Sequence, residues 1–353
     1  MKTPTTILKV QHEIAQRKHG FQPKVTALII ALFVVAVIAL NAGAVDVNLW
    51  RWLRADHGSP LQQIILWDIR FPRIMMTMIT GAGLALCGAV LQAICRNPLA
   101  DPGLIGVSSS AALFAGAAFA VLSSVNLPPF LMSYFVPLSA FLGATLSLIL
   151  LLKIADSKQG MNTLVLILAG VAINAGAMTL LGLIQFVVDD ATLRQITFWS
   201  MGSYAGINYT NLSITIVPVM LGAYYFWQIR HQLMLMSCSE KQAKYQGVDT
   251  RKIKLSSLWT VAVIVAVCVS FTGIVGFVGL VVPHICRMVF GAHLKVLLPT
   301  SLLSGALLVA LADTLARTII IPAEIPIGLI TSMVGVPFFL YLIVREKRKF
   351  EYV

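Results

Sequence analysis

Apolar residues in this chain are gathered into runs. In order they cover about 25–45, 72–95, 103–123, 130–152, 162–188, 211–228, 256–275, 276–290, 296–316 and 326–344. Most approach or exceed the ~20 residues with which a helix crosses about 30 Å of hydrocarbon. The pattern predicts an all-α polytopic membrane protein with ten spans. The run 276–290 is short and holds Pro283, which leaves its boundary with 256–275 open. Between the runs, a short helix is expected near 191–200 and a longer polar stretch lies at 237–254. Residues 1–24 read as a polar segment, with nothing resembling a cleavable signal peptide, and 345–353 as a basic tail.

Composition agrees: of 353 residues, 58% are hydrophobic and 11% charged, far from the balance of a soluble domain. The net charge of +12 is then a topology signal before it is a sign of nucleic-acid binding. With both termini on the cytoplasmic side, 20 of the 26 basic residues fall inside and 6 outside. Every lysine is inside; the outer six are Arg51, Arg54, Arg70, Arg73, Arg194 and Arg317. The five cysteines are odd in number, and all but Cys238 lie in apolar runs, which favours packing over disulfides or metal ligation.

Three outer arginines, Arg70, Arg73 and Arg317, sit at the ends of apolar runs. One reading is anchoring, with Asp68 and Asp313 as partners; Asp313 and Arg317 are four apart and suit a helical pair. The other is a dock for an acidic partner, since guanidinium groups take carboxylates bidentately. On the inner side, QIRHQLMLMSCSEKQAKYQGVDTRKIKLSS (228–257) is too long for a minimal turn. Within it, 239–246 is a helix candidate capped by Ser239 and stopped by Gly247, either a lever for a soluble subunit or a basic loop on anionic lipid. In 94–116, two prolines and then Gly, Ser and Ala predict a broken approach to a closely packed helix; Ser108, Ser109 and Ser110 suit packing, or the lining of a pore. His284 has no second ligand at metal spacing and reads as structural.

Absences narrow the function. There is no GxxxxGK[ST], so the chain does not hydrolyse a nucleoside triphosphate with a P-loop. HExxH, GxSxG and paired catalytic carboxylates are also missing, so no catalytic or metal residue is nominated. Asp101 and Asp313 lie near span ends, whereas a proton-coupled secondary transporter, the alternative class, usually needs a relay nearer the midplane. What remains is a pathway driven by energy from elsewhere.

RFPR at 70–73, GAVLQAICRNPLADPGLIGVSSSAA at 88–112, LAGVAINA at 168–175, FVGLVVPHICRM at 277–288, LADTLAR at 311–317 and EIPIGLITSMVGVPFFLYL at 324–342 occur in that order. Together they resemble the permeases of iron-siderophore, haem and cobalamin ATP-binding-cassette importers, from about residue 60 onward. The resemblance implies the type II ABC importer permease fold, with ten transmembrane helices per subunit and 25–344 as the permease domain. It also implies a homodimer in the bacterial inner membrane, served by two copies of an ATPase subunit and one periplasmic or lipid-anchored substrate-binding protein. This chain would bind no cofactor; ATP and Mg would sit on the ATPase. Arg70, Arg73 and Arg317 match the outer arginines that receive glutamates of the binding protein. Residues 237–250 match the coupling helices that dock into the ATPase, with Ser239, Glu240, Ala243, Gln246 and Gly247 as contacts. The path, lined by the fifth span and the segment after it, would involve Asn174, Met178, Arg194 and Met201. Departures are Ser110 for a common Gly, Val336 for a small residue, and Gln246-Gly247 for Leu-Gly. DPGLIGVSS at 101–109 and LRQITFWSMGS at 193–203 look most like the haem branch, with Arg194 placed to meet a propionate; a ferric siderophore or cobalamin are the alternatives.

Overall fold

The computed structural model describes residues 4–43, 45, 59–125, 128–156 and 161–351, with side chains for all of these except 4–21, 104, 129, 130, 342 and 345–351. Lys2, Arg51, Arg54 and Lys158, counted above by charge, lie outside the described residues. All regular structure among the described residues is helical.

Helix α1 (Pro4–Asn41) holds the first apolar run in Gln22–Asn41 and extends back through Pro23. The expected separate polar segment is therefore largely helical, because Lys, Gln, Glu, Arg and Ala are good helix formers. Ser59 and Gln62 make a reciprocal capping box on α2 (Pro60–Ile64). A wide π turn, Ile65–Arg70, then leads into α3 (Phe71–Cys95), so that 60–95 runs continuously. The π turn buries Leu66 and Arg70.

The expected broken approach after α3 is present. Arg96 closes α3 in the left-handed conformation, Asp101 caps a 3-10 turn at Pro102–Ile105, and Gly106 (φ 85°) opens α4 (Val107–Leu122). Then follow α5 (Pro129–Ala155), α6 (Thr163–Val187) and the expected short helix α7 (Asp190–Ser200). Helices α8 (Tyr209–Gln228) and α9 (Arg230–Cys238) form one apolar unit bent by 64°. The short α10 (Glu240–Tyr245) precedes α11 (Thr250–Thr272), and the open boundary resolves as a non-helical break at 273–277 before α12 (Val278–Phe290). Last come α13 (Leu294–Ala316) and α14 (Ile327–Glu351).

Among the described residues six helices are long and apolar enough to cross a membrane, seven if α8 and α9 count as one span. The other three predicted runs are the shorter apolar helices at Val107–Leu122, Val278–Phe290 and Ile327–Tyr341.

The core forms around α3. A Cβ added to Gly81 would lie 2.3 Å from the Gly305 carbonyl of α13, and one added to Gly88 only 1.8 Å from the Gly279 carbonyl of α12. Backbone meets backbone at both places, the close approach that small residues permit between helices in lipid. Charged contacts sort to two ends. Arg70 and Arg317 reach the carbonyls of Ala39–Ala42, while at the other end of the apolar stretch Gln22–Asn41 Lys24 donates to the Val289 carbonyl near the end of α12.

Candidate functional site

At one end of the bundle the three nominated arginines come together and turn inward. Arg70, Arg73 and Arg317 are 5%, 8% and 7% exposed, so the guanidinium groups read as anchors or as a dock are buried within the chain. Arg73 is held bidentately twice: Nε and Nη2 donate to Asp313 at 2.8–3.2 Å, Nη1 to Glu324 Oε1 at 2.8 Å and Nη2 to Glu324 Oε2 at 3.0 Å. Arg70 donates to the carbonyls of Leu40 (2.7 Å), Asn41 (2.9 Å) and Val45 (2.5 Å) at the end of α1. Arg317 donates to the carbonyls of Ala39 and Ala42, and its Nε lies 3.6 Å from Asp313 Oδ2, the expected (i, i+4) pair. Burial, opposed by Asp313, pulls the Arg317 guanidinium down to about 10, still charged at neutral pH. Asp68, the other nominated partner, is exposed. Sequence could not show this orientation, because half of these hydrogen bonds go to backbone carbonyls, which any sequence supplies. Glu324 was visible in its motif and was not singled out.

Two cavities lie back to back. The outer one, about 840 Å³, is lined by Phe119, Phe198 and Trp199, by Arg194, and by Asp190 and Glu324, the last of which also holds Arg73. The inner one, about 330 Å³, is lined by Asp101, Ser108, Ser109, Asn174, Met178 and Gly279. Gly202 lines the first and Ile274 the second; a Cβ at Gly202 would lie 2.6 Å from the Ile274 carbonyl, so this backbone contact separates them. Of the four nominated path residues, Asn174 and Met178 share the inner cavity and Arg194 lines the outer. Met201 is not among the residues lining either; its carbonyl accepts from Gly328 N at 2.8 Å, next to the Ile327 N–Gly202 O bond. These two bonds tie the end of α7 to the start of α14.

Local chemistry sets the walls. Asp189 caps α7, accepting from Ala191 N, Thr192 N and Thr192 Oγ1, and the Thr192 bonds hold its carboxyl below the ordinary value. Asn174 Nδ2 donates to Gly103 O at 3.0 Å, joining α6 to the 3-10 turn. Asp101 accepts from Gly103 N at 2.7 Å, yet burial outweighs that bond and raises its carboxyl to about 6.

At the opposite end, the nominated short helix is present as α10. Ser239 caps it, accepting from Gln242 N, Ala243 is fully buried beneath it, and Gly247 ends it at φ +81° after Gln246. Tyr245 is 89% exposed. Both Glu240 oxygens are engaged by α11: Oε1 by Thr250 Oγ1 at 3.3 Å and Oε2 by Lys254 Nζ at 2.7 Å. Partial burial opposes ionisation of Glu240, but Lys254 outweighs it and holds the carboxyl below its usual range.

Cys87, Cys95, Cys268 and Cys286 are buried free thiols and Cys238 an exposed one, in line with the packing role. Among the described residues no cluster of three or more His, Cys, Asp or Glu could hold a metal. His284 packs edge-on to Phe338 at 6.1 Å.

Comparison with known proteins fits this geometry. The chain is 38% identical over 326 residues to the hemin transport system permease protein of Yersinia pestis, covering 91% of this chain and 95% of that one. It is 35% identical over 339 residues to the vitamin B12 import system permease protein of Vibrio cholerae, with 95% and 98% covered. A solved structure of a metal-chelate type ABC transporter in an inward-facing conformation superposes with a TM-score of 0.81 at 34% identity, over 92% of this chain and 99% of that one. The FecCD transport family matches residues 28–345, and the chain is a member of that family of transport permeases.

Proposed function

We propose that this permease carries haem from a substrate-binding protein into the cytoplasm. In this reading it works as a ten-span homodimer in the bacterial inner membrane, with both termini cytoplasmic and two copies of a separate ATPase that binds ATP and Mg. The observation that carries the substrate class is the outer cavity. Phe119, Phe198 and Trp199 offer flat apolar walls for a macrocycle, and the exposed Arg194 offers a cation for a carboxylate. Asn174 and Met178 then face the ligand in the inner cavity beyond the Gly202–Ile274 contact.

The arginine end remains the proposed dock for the binding protein. Because the guanidinium groups are committed inward, partner carboxylates would reach Arg73 by exchanging with Glu324, whose side chain is 41% exposed. At the other end α10 is the proposed contact with the ATPase, with Tyr245 projecting from it.

The test is uptake into proteoliposomes holding this chain with its ATPase, offered binding protein loaded with haem or with a ferric siderophore. ATP-dependent haem accumulation is expected. Arg194→Met should cut it about tenfold, the equivalent of ~1.4 kcal/mol of lost contact. Siderophore uptake without haem uptake would sink the substrate assignment and keep the importer. Uptake without any ATPase would favour a secondary transporter.

A further inference from the structure

We infer that Lys254 is the residue that fastens the coupling helix to the helix walling the translocation cavity. This rests on reading α10 as the ATPase contact and deepens it.

Lys254 lies one turn into α11, and its side chain is 3% exposed. A lysine so placed needs partners for its ammonium, and it has one on each of two elements. Nζ donates to Glu240 Oε2 at 2.7 Å, and Glu240 is the first residue of α10. Nζ also donates to the Met161 carbonyl at 3.1 Å, immediately before Asn162, the cap of α6. One ammonium thus holds the start of the coupling helix against the root of α6.

From Asn162 the helix rises about 18 Å to Asn174, at 1.5 Å per residue. There Asn174 Nδ2 binds Gly103 O, and with Met178 it lines the inner cavity. The connection from α10 to the cavity therefore runs through Lys254, Met161 and one rigid helix. Within the chain only 28% of the most apolar stretch of α6 is buried, so few contacts of its own subunit oppose a shift of the helix as a unit. A second tie crosses the same region: Arg251 grips Asp156, at the end of α5, with Nε–Oδ1 at 3.1 Å and Nη2–Oδ2 at 2.6 Å. That pair is solvent-exposed and joins α11 to α5, not α10 to α6. It is the natural control.

Lysine at 254 is a positioning residue, so the readout must separate coupling from assembly. Lys254→Met keeps the length of the side chain and removes the charge; Glu240, itself partly exposed, can turn to water. The complex with ATPase and binding protein is reconstituted, and haem accumulated per ATP hydrolysed is measured alongside the amount of ATPase retained. Lys254→Met should retain the ATPase and hydrolyse ATP, while uptake per ATP falls at least about fivefold, the lower end of usual coupling energies. Lys254→Arg should recover most of the loss, and Arg251→Met should match wild type.

A second measurement needs no substrate. Spin labels at Phe186 and Tyr224, exposed on α6 and α8, should change separation when ATP is trapped with vanadate, in wild type and Arg251→Met and not in Lys254→Met. Unchanged uptake per ATP in Lys254→Met, an equal loss in Arg251→Met, or a wild-type label shift in Lys254→Met would each overturn the inference. A wild-type complex that retains no ATPase would instead bring down the coupling-helix reading itself, a result no Lys254 variant would be needed to see.

Discussion

Helices α3 and α6 are each 25 residues long. Their most apolar stretches are alike, with mean hydropathy 2.0 in the run through α3 and 2.2 in α6, yet 78% of the first is buried within the chain and 28% of the second. Both are rich in small residues. On α3 the glycines are occupied, Gly81 by the backbone of α13 and Gly88 by that of α12, whereas Gly176 and Gly182 on α6 have nothing within 4 Å of an added Cβ. Hydropathy reports that a segment can enter lipid; it does not report which neighbour it meets there. The fixed helix carries the arginine cluster at its start, and the free-faced helix carries two of the nominated path residues. A transporter needs both a frame and an element with room to shift.

The contrast is tested most severely at the head of α3. Asp313→Asn removes the charge that holds Arg73 and faces Arg317, both buried. Deleting one partner of a buried pair costs about 3–5 kcal/mol. A large drop in melting temperature and in monodisperse yield is expected. Arg194→Met, at an exposed position beyond the end of α6, should stay within about 0.5 kcal/mol of wild type. Equal effects of the two would erase the distinction between frame and path.

A matched pair of glycine substitutions asks the same question one helix at a time. Gly88→Ala forces a methyl group against the Gly279 carbonyl, where only backbone can give way, and overpacking of this kind costs about 1–3 kcal/mol or more. Gly182→Ala meets nothing and should be neutral, or stabilising by up to about 1 kcal/mol through helix propensity. Thermal unfolding in detergent reads both. A Gly182→Ala protein that keeps its melting temperature as a monomer but loses dimer would put that face of α6 against a second copy.

How much of this was legible beforehand differs between local and distant contacts. The Ser239 cap, the Gly247 stop, the Asp313–Arg317 pair and the break at 97–106 depend on residues a few positions apart, and sequence displayed them. The inward turn of Arg70 and Arg317 depends on carbonyls of α1, which carry no sequence signal. Arg73 meets Asp313 and Glu324 across 240 and 251 positions, and Lys254 meets Met161 across 93. Counting basic residues by side set Arg70, Arg73 and Arg317 apart from Lys254, but only packing reveals what they hold. The π turn at Ile65–Arg70 gave no warning either, since its composition matches that of an ordinary helix start.

The smallest expected effect lies on the seam between the two helices. Asp101 sits in the turn whose Gly103 carbonyl binds Asn174 of α6, and its Oδ2 would lie 3.1 Å from a Cβ on Gly279, the residue packed on α3. Its carboxyl is raised from 3.8 to about 6 by burial. The folded state therefore holds this proton more tightly than the unfolded chain does, so protonation stabilises the fold. The contribution is complete below about 4, is lost as pH rises toward 6, and stays lost above that. Asp101→Asn keeps the cap on the 3-10 turn, because asparagine caps as well as aspartate, and removes the charge that burial penalises. The variant should melt with wild type at pH 4 and above it at pH 7, the gap opening between 4 and 6 and then holding level. The gap should be modest, since Asp101 is only partly buried, lines the inner cavity, and its carboxylate already holds a bond from Gly103 N in wild type. A gap independent of pH would mean that water reaches the carboxylate freely, and that the seam between the fixed and the free-faced helix is already open.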